Sequence, residues 1–209
     1  MGFSQNATSD FEKEKEYDIS TPIVINVSAE DKSSVEYTIM ARKSRGGNSA
    51  VIVSDTQKDI IPLFHQEAFF QNINTVLDKA YKADVPIYYI MLSSLKGFDA
   101  WNLPDQLHYY DNGVIVDKGD TVDAFETTNL HKEFLLKDID TVYVTGVSSL
   151  GCVLGTTKGA HSRGYRVILV EDAHDEPEGY RTAESVEKCN IRVANGEFAQ
   201  LQAAQDVVF

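Results

Sequence analysis

The amino-acid sequence predicts an α/β fold in which a mostly parallel central sheet lies between two layers of helices. Apolar runs of strand length occur at Ala50–Val53, Val85–Met91, Val142–Val144 and Val167–Val170. Such runs are typical of parallel strands that are buried on both faces. The segment Gln66–Ala83 places its apolar residues at helical spacing. Strands that alternate with helices in this way favour a three-layer α/β/α architecture.

The remaining elements of the main domain follow from the same patterns. Gly113–Lys118 is predicted to form another strand, and Leu130–Leu136 a helix. After the strand at 167–170 the pattern is weaker. It favours a short helix at Tyr180–Lys188, a last strand at Ile191–Ala194 and a closing helix at Glu197–Gln205.

The N-terminal region differs in character from the rest of the chain. Residues 1–18 are polar and alternate in charge, which favours a mobile arm. In residues 19–49, two β-rich runs, Ile23–Val27 and Val35–Met40, are joined by a polar turn and predict a hairpin extension. The hairpin has three open roles: covering a sheet edge, building a subunit interface, or roofing a site. Residues 50–209 then form the main domain.

Composition and charge exclude some classes of partner. The net charge of -13 argues against nucleic acids and acidic membranes, because both require a basic face. Two cysteines, far apart and without an apolar leader, indicate a reducing compartment, so we expect a cytoplasmic protein. Export by a route that needs no leader stays open. No apolar run is long enough to predict a membrane span.

Three reactive side chains stand at the predicted carboxyl ends of three strands. Asp55 follows the first core strand, Lys118 follows the strand at 113, and Cys152 lies in the turn after the strand at 142. The carboxyl ends of parallel strands meet at one edge of a sheet, which is where open α/β sheets place their sites. Cys152 also opens a predicted helix, Cys152–His161, and a helix N-terminus favours the thiolate.

The segment Gly146–Val153 resembles the cysteine-bearing turn of the isochorismatase-like cysteine hydrolases. The pair Asp55 and Gln57 resembles the opening Asp-x-Gln motif of that family, and Ala124–Leu130 fits its Ala-Phe-x-x-Thr-x-Leu segment. One departure is Asp123, where the family often has serine. The resemblance extends from about Ala50 to Leu201.

This resemblance implies a catalytic triad of Asp55, Lys118 and Cys152. In that scheme Asp55 is the general base and then the acid, Lys118 keeps the carboxylate charged and lowers the proton affinity of the thiol, and Cys152 is the nucleophile. The backbone amides of Ser148 and Cys152 would form the oxyanion hole. The family also has a cis peptide bond at the position of Val147 and Ser148.

The candidate substrate-binding residues come from the motifs and from an aromatic loop at 93–112. An aromatic loop after a core strand makes a reasonable pocket wall, although its aromatic residues fit an equally good role in packing the loop down. The candidates are Gln57, Trp101, Tyr109, Phe125 and Ser149.

We expect no metal and no other cofactor. Nicotinamidases of the family bind a metal through an aspartate and histidines after the first two core strands, where this chain offers only His65 and the polar run Ser93–Lys96. His161 is expected on a helix surface and His174 in a loop, and Cys189 is expected to be structural.

The sequence therefore predicts a hydrolase of small molecules, and isochorismatase is the preferred activity. The substrate of that activity, isochorismate, is a vinyl ether. Its hydrolysis releases pyruvate and needs an acid such as Asp55 and no metal. The alternative is a metal-independent amidase or ureide hydrolase that forms a thioester at Cys152. An alternative of another class is an inactive binding protein. The resemblance also implies a homo-oligomer, a dimer or tetramer.

Overall fold

A computed structural model describes residues 8–10, 23–39 and 47–209. The chain divides into two compact units, residues 1–45 and residues 46–209. No helix of the described residues is both long and apolar enough to cross a membrane.

The first unit contains a three-stranded antiparallel sheet in the order β1-β2-β3. Strands β2 (Ile23–Ser28) and β3 (Ser34–Ile39) form the predicted hairpin. Strand β1 (Thr8–Ser9) belongs to the predicted arm and pairs with Val27 and Ser28 of β2. Residues 1–7 and 11–18 of that arm, and Met40 of the predicted second strand, lie outside the described residues.

The second unit confirms the predicted fold class. Its six strands lie in the order β6-β5-β4-β7-β8-β9, and every neighbouring pair is parallel. In chain order the elements are β4 (Asn48–Ser54), α1 (Gln66–Lys82), β5 (Ile87–Met91), β6 (Gly113–Asp117), α2 (Leu130–Leu136), β7 (Ile139–Val147), α3 (Leu154–Ser162), β8 (Arg166–Asp175), α4 (Ser185–Asn195) and β9 (Gln200–Gln202).

Two apolar cores sandwich this sheet because successive side chains of a strand point to opposite faces. In β4, Val51 and Val53 join the core that α1 and the C-terminal segment cover, whereas Ala50 and Ile52 join the core beneath α2, α3 and α4. All four side chains are buried, so β4 is a central strand with no solvent face. The helical layers on both sides leave the carboxyl edge of the sheet to the loops that follow its strands.

The C-terminal prediction was wrong in two elements. The predicted strand Ile191–Ala194 lies inside helix α4, and the predicted helix Glu197–Gln205 is replaced by β9 and a short 3-10 turn, Ala204–Asp206. The apolar positions that α4 buries recur every four residues, at Cys189 and Val193, which is a helical period.

Strand β8 continues beyond the predicted strand 167–170. Its register against β7 shifts between Leu169, which pairs with Val144, and His174, which pairs with Gly146. Such an irregularity inserts extra residues and bends a strand. His174 is therefore a buried strand residue, not the loop residue that the sequence predicted.

Candidate active site

The three side chains singled out in the sequence converge at the carboxyl edge of the sheet. Asp55 follows β4 directly, Lys118 follows β6 directly, and Cys152 lies in the five-residue π-helical turn Ser149–Val153 between β7 and α3. Lys118 Nζ lies 3.2 Å from Asp55 Oδ2 and 3.5 Å from Cys152 Sγ. The Lys118 ammonium also donates a hydrogen bond to the carbonyl of Thr121.

Burial decides the electrostatics of this group. The side chains of Lys118 and Asp55 are 0% and 2% exposed, and Cys152 is partly exposed. Burial raises the pKa of Asp55 to about 6, against the opposing charge of Lys118. Burial and the neighbouring Asp55 raise the pKa of the Cys152 thiol to about 12.

The resting thiol is therefore protonated at neutral pH, which corrects the expectation that Lys118 and a helix N-terminus would favour the thiolate. The penalty of burial exceeds the effect of Lys118 on this sulfur. Helix α3 itself begins only at Leu154, so Cys152 lies in the preceding turn. The arrangement can still generate a nucleophile if the proton moves to Asp55 as the sulfur attacks.

An unusual backbone conformation and two backbone hydrogen bonds hold Asp55 at the end of β4. Asp55 has φ +43°, a left-handed conformation that is uncommon for a residue other than glycine. Its N–H donates to the carbonyl of Ile90 at 3.0 Å, and its carbonyl accepts from the N–H of Gln57 at 2.9 Å. These bonds fix the turn at the end of β4 and with it the carboxylate.

The loop after β6 is fixed by Asp117, the last residue of that strand. Its carboxylate accepts hydrogen bonds from the Ser93 hydroxyl, from Lys96 Nζ at 2.9 Å and from the Gly119 N–H at 3.1 Å. These bonds hold the pKa of Asp117 at about 2, so its negative charge persists. Lys118, the next residue, is thereby positioned from both neighbouring loops.

The cysteine turn, residues Ser148–Cys152, follows β7 through a cis peptide bond between Val147 and Ser148, as the resemblance implies. Just before it, Gly146 has φ +106°, and a side chain there would meet the Ser54 carbonyl oxygen at 2.2 Å. Only glycine permits this close approach of β7 to β4. The close approach brings the cysteine turn beside the end of β4, where Asp55 lies.

Two of the polar candidates for substrate binding are engaged within the protein. Gln57 is buried, and its amide accepts from the Leu92 N–H at 2.8 Å and donates to the Trp101 carbonyl at 3.4 Å. Ser149 is also buried, and its hydroxyl is hydrogen-bonded to His174 Nδ1 at 2.9 Å. Both side chains therefore hold the loops around the triad.

The aromatic candidates separate into two environments. Trp101 and Tyr109 line an open cleft of about 410 Å³ that none of the triad residues lines. Phe125 lies in the core, packed against the rings of Phe134 and Tyr165. The structure thus brings Asp55, Lys118 and Cys152 together and buries the ring of Phe125 in the core.

Three residues that the sequence analysis did not select as site residues contact the cysteine turn. Glu176 accepts a hydrogen bond from the Leu150 N–H, Arg181 donates to the Ser148 hydroxyl, and His174 is hydrogen-bonded to Ser149. Glu176 directly follows β8 at the carboxyl edge, as Asp55 follows β4, but the sequence predicted that this strand ends at Val170 and so did not place Glu176 there. Arg181 lies outside the helices and strands, and its position gave no signal either.

Metal-ligating side chains are not clustered in the described part of the chain, where no group of three or more His, Cys, Asp or Glu could hold an ion. His65 pairs with Asp175, at 3.1 Å between Nδ1 and Oδ1. His161 is an exposed residue of α3.

Comparisons with known proteins agree with this geometry. A family model, the isochorismatase domain, matches residues 49–204. An uncharacterized isochorismatase family protein of Bacillus subtilis, YrdC, is 29% identical over 105 residues, which are 47% of this chain and 55% of that protein. The N-carbamoylsarcosine amidase of an Arthrobacter species is 24% identical over 151 residues, 71% of this chain and 54% of the amidase. The matched regions thus span about half the length of these relatives.

Solved structures share the fold. The N-carbamoylsarcosine amidase from Thermoplasma acidophilum superposes with a TM-score of 0.66 at 21% identity, covering 77% of this chain and 99% of that one. The nicotinamidase from Staphylococcus aureus superposes with a TM-score of 0.63 at 19% identity, covering 74% of this chain and 97% of that one. Since the family model covers most of the chain, the protein belongs to the isochorismatase family.

Proposed function

We propose that this protein hydrolyses a carbon–nitrogen bond of a small amide or ureide through a covalent intermediate on Cys152. The observation that carries the proposal is the single ammonium of Lys118, which lies against both the Asp55 carboxylate and the Cys152 sulfur. A thiol placed beside a carboxylate base is the arrangement that nucleophilic catalysis needs. The amidases among the similar proteins support the same chemistry.

In the proposed first half-reaction, the Asp55 carboxylate takes the thiol proton as the Cys152 sulfur attacks the carbonyl carbon. The proton on Asp55 then passes to the leaving nitrogen, the carbon–nitrogen bond breaks, and a thioester or thiocarbamate remains on Cys152. The backbone N–H groups of Ser148 and Cys152 are the proposed donors to the oxyanion.

The second half-reaction uses Asp55 again, first as a base toward water and then as an acid toward the sulfur. Asp55, again a carboxylate, takes a proton from water as the water oxygen attacks the acyl carbon. The carbon–sulfur bond breaks, and the proton returns to the sulfur of Cys152. The Lys118 ammonium stabilises negative charge on Asp55 and on the sulfur.

Hydrolysis of the vinyl ether of isochorismate is the second candidate, and the raised pKa of Asp55 favours it. A carboxyl group with a pKa of about 6 keeps a useful fraction of acid near neutral pH. That acid could protonate the enol ether carbon, after which water adds and pyruvate leaves. Cys152 would not be required as a nucleophile in this reaction.

Release of ammonia from a panel of small amides and ureides, and of pyruvate from isochorismate, separates the candidates. The native chain is compared with Asp55→Asn and Cys152→Ala in both assays. We expect the native chain to release ammonia from at least one amide or ureide and both variants to lose this activity. Pyruvate release that survives in Cys152→Ala would establish ether cleavage instead. If the native chain gives neither product, the inactive binding protein is the better description.

A further inference from the structure

The cysteine turn is bonded at three consecutive residues to side chains from the end of β8 and from the segment between β8 and α4. Ser148 accepts a hydrogen bond from Arg181, Ser149 is bonded to His174, and the Leu150 N–H donates to Glu176. The turn that carries Cys152 is therefore fixed from one side by a single stretch of chain.

Glu176 and Arg181 form the charged part of this contact. Arg181 Nη1 lies 2.9 Å from Glu176 Oε1 and 3.0 Å from Ser148 Oγ, so one nitrogen donates to both groups. The other carboxylate oxygen, Oε2, accepts from the Leu150 N–H at 3.3 Å. The Glu176 side chain is 0% exposed and that of Arg181 is 32% exposed.

A fully buried carboxylate is costly unless it is paired, and Arg181 supplies the pairing charge. The positive charge of Arg181 is thus neutralised by Glu176. The absence of a side chain at Gly151 is part of the same contact, because a Cβ there would lie 2.6 Å from Ser148 Oγ and 3.5 Å from Arg181 Nη1. The Glu176–Arg181 ion pair, the Ser148 hydroxyl and Gly151 together leave the cysteine turn little conformational freedom.

A neutral chain of hydrogen bonds supports the neighbouring residue. His174 Nδ1 is bonded to Ser149 Oγ at 2.9 Å, and His174 Nε2 is bonded to Asn190 Oδ1 of α4 at 3.0 Å. Burial lowers the pKa of His174 to about 4, so its ring is neutral at pH 7. This chain ties the cysteine turn to α4.

We propose that the Glu176–Arg181 ion pair is a positioning device that holds the cysteine turn so that the Cys152 sulfur faces Lys118 and Asp55. The proposal deepens the proposed function and rests on it for its effect on turnover. Neither residue is assigned contact with the reacting atoms. Both act through the backbone and the Ser148 hydroxyl of the turn.

Loss of the pair has two opposite consequences. Turnover falls because the sulfur is no longer held against its base, and small misplacements of reacting groups reduce rates by up to about a hundredfold. Alkylation of Cys152 rises because a released thiol is less buried and less influenced by Asp55, so its pKa returns toward the ordinary value. A general loss of stability would instead expose every buried thiol.

The test measures both quantities in the full chain with Glu176→Gln and Arg181→Gln. Steady-state kinetics are combined with peptide mapping after iodoacetamide treatment at a fixed pH, and the second cysteine, Cys189, is the internal control because it is fully buried. We expect kcat to fall at least about tenfold with KM changed less than about threefold. Labelling of Cys152 should rise by about tenfold in both variants. Cys189 is compared in Arg181→Gln, where it should be unchanged, because Glu176 itself raises the pKa of Cys189.

Two further variants separate positioning from folding. Arg181→Lys should restore most of kcat, since one ammonium can replace the one nitrogen that makes both contacts. Ser148→Ala removes the hydroxyl contact without changing charge and should lower kcat in the same direction. The matched control is Lys137→Gln, which breaks the ion pair between Lys137 and Glu133, 2.9 Å apart. This pair precedes β7 and lies at the opposite edge of the sheet from the cysteine turn. The control variant should leave both readouts at native values.

Native kcat and native Cys152 labelling in Arg181→Gln would overturn the proposal. Equal acceleration of Cys152 and Cys189 in both Glu176→Gln and Ser148→Ala would also overturn it, because the pair would then only stabilise the fold. If the native chain turns over no amide or ureide, the proposed function fails separately. The contrast in labelling between the two cysteines still decides the positioning role.

Discussion

Asp55 and Cys152 have pKa values that burial moves upward together, to about 6 and about 12. The two groups form a proton donor and acceptor pair in which the thiol holds the proton near neutral pH and the carboxylate can receive it. The side chain of Lys118 is what makes this ionised carboxylate tolerable in a buried site. The chemistry at the residue scale therefore depends on the protonation state of Asp55.

The dependence of kcat/KM on pH should reveal that state. A base must be ionised, and the ionised fraction of Asp55 grows as the pH rises through about 6. We expect kcat/KM for an amide or ureide to increase between about pH 4 and about pH 8, with an apparent pKa near 6. A decrease across the same interval would mean that Asp55 acts as the acid, as vinyl ether cleavage requires.

Replacement of Lys118 by methionine should move this limb of the profile upward by about one pH unit or more. Lys118 lowers the pKa of Asp55, so its removal leaves burial unopposed by this cation. The control is Lys188→Met, which removes an exposed lysine of α4. The same profile measured on both variants checks the prediction, which fails if the limb of Lys118→Met stays at the native pH.

At the scale of elements, the close approach of β7 to β4 brings the cysteine turn near Asp55. Gly146→Ala would place a Cβ 2.2 Å from the Ser54 carbonyl oxygen. We expect the free energy of unfolding to fall by about 3 kcal/mol or more. Gly164→Ala is the matched control, because Gly164 also has a positive φ but no atom within 4 Å of the added Cβ. It should cost about 1 kcal/mol.

Urea unfolding of both glycine variants provides these free energies. Similar losses for the two would show that the positive φ matters and the packing of β7 against β4 does not.

The sequence could predict the central elements because their signals are physical and local. Apolar runs such as Ala50–Val53 identified buried strands, and the rule for carboxyl ends placed Asp55, Lys118 and Cys152 at one edge. The prediction from sequence failed at α4 because β-branched Ile191 and Val193 favour a strand locally. Burial of Cys189 and Val193 every fourth residue against the sheet decided for a helix.

Contacts between segments were beyond sequence patterns. The buried position of His174 depends on the irregular register of β8 against β7, and no local signal announces it. The bonds of Glu176 and Arg181 to the cysteine turn join residues about thirty positions apart. The raised pKa of Cys152 likewise follows from burial, which the sequence around it does not express.

At the scale of the whole molecule, every group assigned a role in the proposed reaction lies in the unit of residues 46–209. We therefore expect the chain without residues 1–45 to keep kcat within about threefold of the native value, because all contacts of the triad described here remain. Kinetics of the purified truncated chain check this. A loss of turnover in a folded truncated chain would favour the roofing role of the hairpin.

The homo-oligomer that the resemblance implies stays a prediction. Light scattering on the full and truncated chains measures the number of subunits in each. A change from oligomer to monomer on truncation would assign the hairpin to the subunit interface.

The covalent role of Cys152 is tested most directly by the turnover of Cys152→Ala beside that of Cys189→Ala, with circular dichroism to verify folding. The substrate is the amide or ureide that the native chain hydrolyses best. We predict that Cys152→Ala loses at least about a thousandfold in kcat, since no other group replaces the nucleophile, whereas Cys189→Ala remains active. Native turnover in a folded Cys152→Ala variant would exclude a covalent role for this residue.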